Sequence, residues 1–122
     1  MTEVNITNIP GYFRLSSRGH AGYGAANRLP EGHDIVCAAI SVLVQTAAQY
    51  LLDLEGRGQV KVTELTIQPG NVDIKVLPKA EADQQIKCLE DIIKSGFGLL
   101  GNAYGAYINL GWEKTKNDCG RV

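Results

Sequence analysis

Two Pro-Gly pairs constrain this chain more than any other feature. Pro10-Gly11 stands between a stretch holding Val4 and Ile6 and a second, Tyr12 to Arg18, in which Phe13 and Leu15 share a face. Pro69-Gly70, within Gln68-Pro69-Gly70-Asn71, stands between Val60, Val62, Leu65 and Ile67 on one side and Val72, Ile74 and Val76 on the other. Proline presets one turn angle, glycine supplies conformations that other residues avoid, and alternating flanks are those of half-buried strands. The chain is therefore predicted to form two β-hairpins. Hairpins separated by helices cannot make an all-parallel sheet, so the fold class is α+β, a mostly antiparallel sheet packed with two helices in the order ββαββαβ.

Asp34 precedes an apolar run and is placed to cap a helix from Ile35 to about Leu54. Val36, Ile40, Leu43, Ala47, Leu51 and Leu54 form one apolar stripe, and no charged residue falls between Asp34 and Asp53, so this helix is expected to be buried on more than one side. A second, amphipathic helix is expected over Glu81 to Leu100, its last turn weakened by Gly96 and Gly98. Tyr104, Ala106, Ile108, Leu110 and Trp112 alternate as a final strand. Residues 1–112 read as one domain and 113–122 as a polar, frayed tail. The segment Gly19 to Gly32 is rich in glycine and is expected to hold no regular element.

Twelve Lys plus Arg against thirteen Asp plus Glu give a net charge of −1, which leaves no basic stripe for direct nucleic-acid binding. The apolar run Ile35 to Val44, interrupted by Ser41, falls short of the roughly twenty residues that a bilayer crossing needs. The start, MTEVNITNIP, has neither the cationic nor the apolar part of a secretory signal, so a reducing cytoplasm is expected. Three cysteines are no disulfide framework, and their spacing holds no zinc pattern, so neither metal nor cofactor is expected.

Cys37 is the residue with most chemical promise. Third in the helix that Asp34 caps, it sits where unpaired amides and the positive end of the helix dipole favour a thiolate. Its partner would be His20, at a strand's end, or His33, beside Asp34; His20 is better placed to stand over the helix's amino end. Ser41, one turn after Cys37, and Asp34, three residues before it, can border the same pocket. Asp34 could orient an imidazole as well as cap, and the first-turn amides, that of Cys37 especially, would suit an oxyanion. Each residue also has a plain reading: Cys37 as a small buried hydrophobe, Asp34 as a cap, Ser41 bonded to its own backbone, His20 solvated. Cys88, mid-helix, and Cys119, in the tail, are poorer candidates.

The string Gly19-His20-Ala21-Gly22-Tyr23, followed by Gly32-His33-Asp34-Ile35-Val36-Cys37-Ala38-Ala39-Ile40-Ser41, resembles the ribosomal-processing cysteine protease family, Prp. The resemblance implies a homodimeric cytoplasmic endopeptidase that removes a short N-terminal extension from a large-subunit ribosomal protein precursor or processes a phage capsid protein. It carries His20 and Cys37 onto the catalytic pair and Asp34 and Ser41 onto supporting positions. It further implies an extended peptide substrate with an aromatic residue before the cut, held by a glycine-rich segment that includes Gly22, Tyr23, Gly24 and Gly32. The competing reading is a dimeric ribosome- or phage-associated module that binds such a peptide without cutting it.

Overall fold

The computed structural model describes residues 1–30 and 32–112. The expected tail 113–122, with Cys119, lies outside the described residues. Strands β1 (Thr2–Ile9) and β2 (Tyr12–Arg18) pair antiparallel from Glu3↔Arg18 to Ile9↔Tyr12, which leaves Pro10 and Gly11 as the turn. Strands β3 (Val60–Gln68) and β4 (Asn71–Pro78) repeat the arrangement around Pro69-Gly70, with a register shift between Val62 and Glu64. Gly11 and Gly70 have φ values of 78° and 72°, the region that side chains with a Cβ resist. Strand β4 pairs with β2, and a short β5 (Ile108–Leu110) adds in parallel to β1. The sheet order is thus β3-β4-β2-β1-β5. Its one parallel pairing makes it mixed and mostly antiparallel, and the fold is α+β.

Both long helices cover one face of this sheet. Helix α2 (Ile35–Gly56) buries Val36, Ile40, Val44, Ala47, Ala48, Leu51 and Leu54, and α3 (Asp83–Tyr104) buries Ile86, Leu89, Ile93 and Phe97. They meet Val4, Phe13, Leu15, Ile74 and Val76 from the sheet in a single core. Where the helices cross, an added Cβ at Gly96 would come within 2.9 Å of Leu43 Cδ2, so the glycine permits the close approach. Helix α2 is long and apolar enough to cross a membrane on length and composition, which the break at Ser41 does not prevent. Core helices meet the same description, and the side of α2 that faces the sheet is buried by it.

Three sequence expectations need correction. The glycine-rich segment contains a short helix, α1 (Tyr23–Ala26), entered through Gly22 at φ 81°. The last strand is only Ile108–Leu110, because Tyr104 still belongs to α3, which begins at Asp83 after a 3₁₀ turn at Ala80–Ala82. That helix, expected to stop at Leu100 with a last turn weakened by Gly96 and Gly98, continues through both glycines to Tyr104. Packing decides there: Phe97 is fully buried against the Trp112 ring at 6.1 Å, and the Tyr104 ring meets Tyr23 edge to face at 5.3 Å. Contacts of that kind outweigh the roughly 1 kcal/mol that a glycine costs a helix.

The opposite face of the sheet is polar and centred on Asp73, which is only 4% exposed. Arg14 Nε and Nη2 donate to its two oxygens at 2.9 and 2.6 Å, with Arg18 further off at 3.4 Å. The Arg14 hydrogen bonds hold the Asp73 carboxyl below the ordinary carboxylate range and hold the Arg14 guanidinium above its own. A depressed carboxyl stabilises the fold above its unfolded pKa, near about 4, and loses that contribution as pH falls through the lower folded value. Arg14→Ala is expected to lower the unfolding free energy by about 1–3 kcal/mol at neutral pH. Urea titrations of both proteins should show that difference shrinking in strong acid; a difference as large in acid as at neutral pH would contradict the assignment.

Candidate active site

Helix α2 starts where Asp34 stops the chain from being helical, with φ −79° and ψ 99°. Oδ1 accepts the amide of Cys37 at 2.9 Å, and Oδ2 accepts the amide of Gly24 at 2.9 Å. One carboxylate therefore caps α2 and ties α1 to it. Gly24 has to be small, since a Cβ there would come within 3.2 Å of the Asp34 Cβ. Burial pushes the Asp34 carboxyl up, but the amides of Gly24 and Cys37, with further help from the Cys37 side chain, bring it below the ordinary carboxylate value.

The Cys37 side chain is half-buried at the first turn of α2, and its Sγ accepts the amide of Ala21 at 3.3 Å. The segment that follows β2 thus reaches the sulfur directly. His20, the residue before Ala21, lies against Gly70 in the β3–β4 turn, where an added Cβ would come within 2.8 Å of the imidazole Nε2. The turn is fastened to β2 by the Gly19 amide donating to the Gly70 carbonyl at 2.8 Å. An exposed imidazole is in this way given a seat by a residue fifty positions further along the chain.

Two clefts meet at His20, Cys37 and Ser41. One, of about 400 Å³, runs between α2 and the ends of β2, β3 and β4. The other, of about 650 Å³, runs beneath α1 and the following loop and is lined by Gly22, Gly24, Leu29, Pro30, Gly32 and Asp34. Together they make a groove with the thiol midway. His33 lines neither cleft; its amide donates to the Pro30 carbonyl at 3.1 Å.

Some expected roles have a different outcome. Both Asp34 oxygens are taken by backbone amides, and among the described residues no imidazole hydrogen-bonds to it. The Cys37 amide, expected as an oxyanion donor, is committed to the cap. Tyr23 turns away from the groove into a ring cluster with Tyr104 and Tyr107, both at 5.3 Å and edge to face. Ala21, to which the sequence assigned no role, is the residue whose amide touches sulfur. Its position in the Gly-His-Ala-Gly string was visible, but nothing local indicated where its N–H would point. Among the described residues no group of three or more His, Cys, Asp or Glu could hold a metal ion. Cys88 is exposed on α3.

A thiol and an imidazole where two clefts meet are the equipment of a cysteine peptidase. Over residues 1–109 the chain matches the family described as Cysteine protease Prp, and it belongs to that family. The fold is shared with the ribosomal processing protease Prp from S. aureus. Its complex with a covalently linked product peptide superposes with a TM-score of 0.66 at 21% identity, covering 90% of this chain and 97% of that one. Its complex with a substrate peptide gives 0.60 at 18% identity, covering 91% and 98%. A Streptococcus mutans protein gives 0.60 at 22% identity, covering 90% and 91%. No curated protein sequence gives a significant match.

The two bonds to Asp34 separate by substitution. Asp34→Asn keeps an oxygen for the Cys37 amide but offers NH₂ to the Gly24 amide, so the cap survives and the tie to α1 does not. Asp34→Ala loses both, at a cost of about 1–2 kcal/mol in stability. Hydrogen exchange at Gly24 should accelerate in both variants, and at Cys37 only in Asp34→Ala. Equal protection of Gly24 in wild type and Asp34→Asn would contradict the bridging role.

Proposed function

We propose that this protein is a cysteine endopeptidase that removes a short N-terminal extension from a large-subunit ribosomal protein, with Cys37 as nucleophile and His20 as its acid–base partner. The observation that carries the reading is that Cys37 and His20 line the same two adjoining clefts, with the Ala21 amide at the sulfur. Membership of the Prp family supports the chemistry, and the ribosomal processing role of the S. aureus relative supports the substrate.

In this mechanism His20 takes the Cys37 proton, and sulfur attacks the scissile carbonyl. The Ala21 N–H, which donates to sulfur at 3.3 Å, stands beside the reacting centre as a donor for the oxyanion that forms on the attacked carbon. Imidazole then protonates the leaving amine, and water releases the acyl group from sulfur. Asp34 holds the thiol-bearing turn and α1 in register, and Ser41 borders the reacting centre on the second turn of α2. The segment from Gly22 to Gly32 covers the bound peptide. Exposed Ile35 and Val42 on α2, with Ile92 and Leu99 on α3, give a homodimer an apolar surface to bury.

Incubating the protein with the precursor of the ribosomal protein and sequencing new N-termini tests the assignment. Cys37→Ala should abolish cleavage and leave the fold intact. His20→Ala should lower turnover by roughly 10²- to 10⁴-fold, and His33→Ala should change it little. Cleavage by Cys37→Ala at the wild-type rate would refute the proposal, and binding of the precursor without cleavage by wild type would favour a peptide-binding module. Sedimentation at micromolar concentration should give a dimer; monomer alone would remove that part.

A further inference from the structure

Asn71, the first residue of β4, lines the cleft of about 400 Å³ together with His20 and Cys37. Its side-chain Oδ1 is buried and has no hydrogen-bond partner among the described residues. A buried acceptor left unpaired is costly, and native folds keep one chiefly where function supplies the missing donor. The imidazole adjoins it. Asn71 pairs with Arg18 across β4 and β2, Gly19 donates to the Gly70 carbonyl at 2.8 Å, and His20 follows, so Asn71 and His20 flank one backbone hydrogen bond. The ring lays its far edge on Gly70: a Cβ there would come within 2.8 Å of Nε2, 3.1 Å of Cε1 and 3.3 Å of Cδ2. Of the two ring nitrogens, Nε2 is therefore the one nearer the turn that leads into Asn71.

A base that serves a nucleophile is ordinarily held by a third group. Asp34 does not serve, since both its oxygens are taken by backbone amides. We propose that Asn71 is that third group, a positioning residue whose Oδ1 accepts the Nε2–H of His20 and so leaves Nδ1 as the nitrogen that removes the Cys37 proton. The S–H bond breaks and its proton goes to Nδ1, while Nε2 keeps its own against Oδ1. The bond to Asn71 tightens at this step, because an imidazolium N–H donates more strongly than a neutral one. The Nδ1 proton later goes to the leaving amine. This rests on the reading of Cys37 and His20 as nucleophile and base, and the test separates the two.

The rate of Cys37 alkylation by iodoacetamide at near-neutral pH, followed by mass mapping, reports the thiolate that the imidazole sustains and needs no peptide. Asn71→Ala, and Asn71→Leu as a variant of similar size, should slow it by roughly ten- to a hundred-fold, the effect of one hydrogen bond to a charged group. Asn71→Asp, which keeps an acceptor, should stay at or above the wild-type rate. In the His20→Ala background Asn71→Ala should have no further effect, as for a residue that acts through the imidazole. Turnover of the ribosomal precursor should follow the same order, with kcat lowered and KM unchanged in Asn71→Ala. Alkylation of Asn71→Ala at the wild-type rate, an equal slowing with and without His20, or a raised KM at unchanged kcat overturns the inference; slow alkylation of His20→Ala then leaves the Cys37–His20 pair standing. The expected alkylation rates from a protein that cleaves no precursor leave the role of Asn71 standing and remove the protease reading. A His20→Ala protein alkylated as fast as wild type removes both.

Discussion

The carboxylate of Asp34 is the constraint on which the site depends. It accepts one amide from the helix that carries Cys37 and one from the short helix of the glycine-rich segment, each at 2.9 Å. Without it the first turn of α2 would have an orphan donor, and the segment from Gly22 to Ala26 would lose its tie to α2 and keep the packing of the Tyr23 ring on Tyr104 and Tyr107. The two elements that frame the groove are thus locked together by a side chain that, among the described residues, hydrogen-bonds to neither imidazole. Its role is positional, and its depressed ionisation keeps the lock charged over the whole neutral range.

The sheet supplies the other half of the arrangement. Placing β4 beside β2 brings the Pro69-Gly70 turn to the end of β2, where Gly19 bonds the Gly70 carbonyl and His20 rests on the bare Gly70 backbone. Ala21 then follows with its amide on Cys37 Sγ. Thiol and imidazole, which stand seventeen residues apart in sequence, are brought to one groove by strand pairing on one side and helix capping on the other.

The parts of this account that depend on local chemistry were legible in the sequence. Pro10-Gly11 and Pro69-Gly70 announced the hairpins, Asp34 announced the start of α2, and the spacing of Cys37 and Ser41 put them on one helical face. What could not be read depends on distant partners. The helix at Tyr23–Ala26 needs Asp34 Oδ2 and two tyrosine rings about eighty residues away, and its glycine-rich composition argues against it. The extension of α3 beyond Leu100 to Tyr104 is of the same kind, because the Tyr104 ring packs on Tyr23 from a distant part of the chain. The Cys37 amide was assigned to an oxyanion although a cap at Asp34 already uses it, a conflict implicit in the sequence reading itself.

The most direct measurement is a search for the acyl-enzyme. The His20→Ala protein, in which release of the acyl group is slow, would be mixed with an activated ester of the peptide that precedes the cut, quenched in acid and digested for mass mapping. The account predicts a peptide bearing Cys37 that is heavier by the acyl group, and no such product with Cys37→Ala. Acylation at another residue, or unmodified Cys37 while the ester is consumed by the protein, would contradict it.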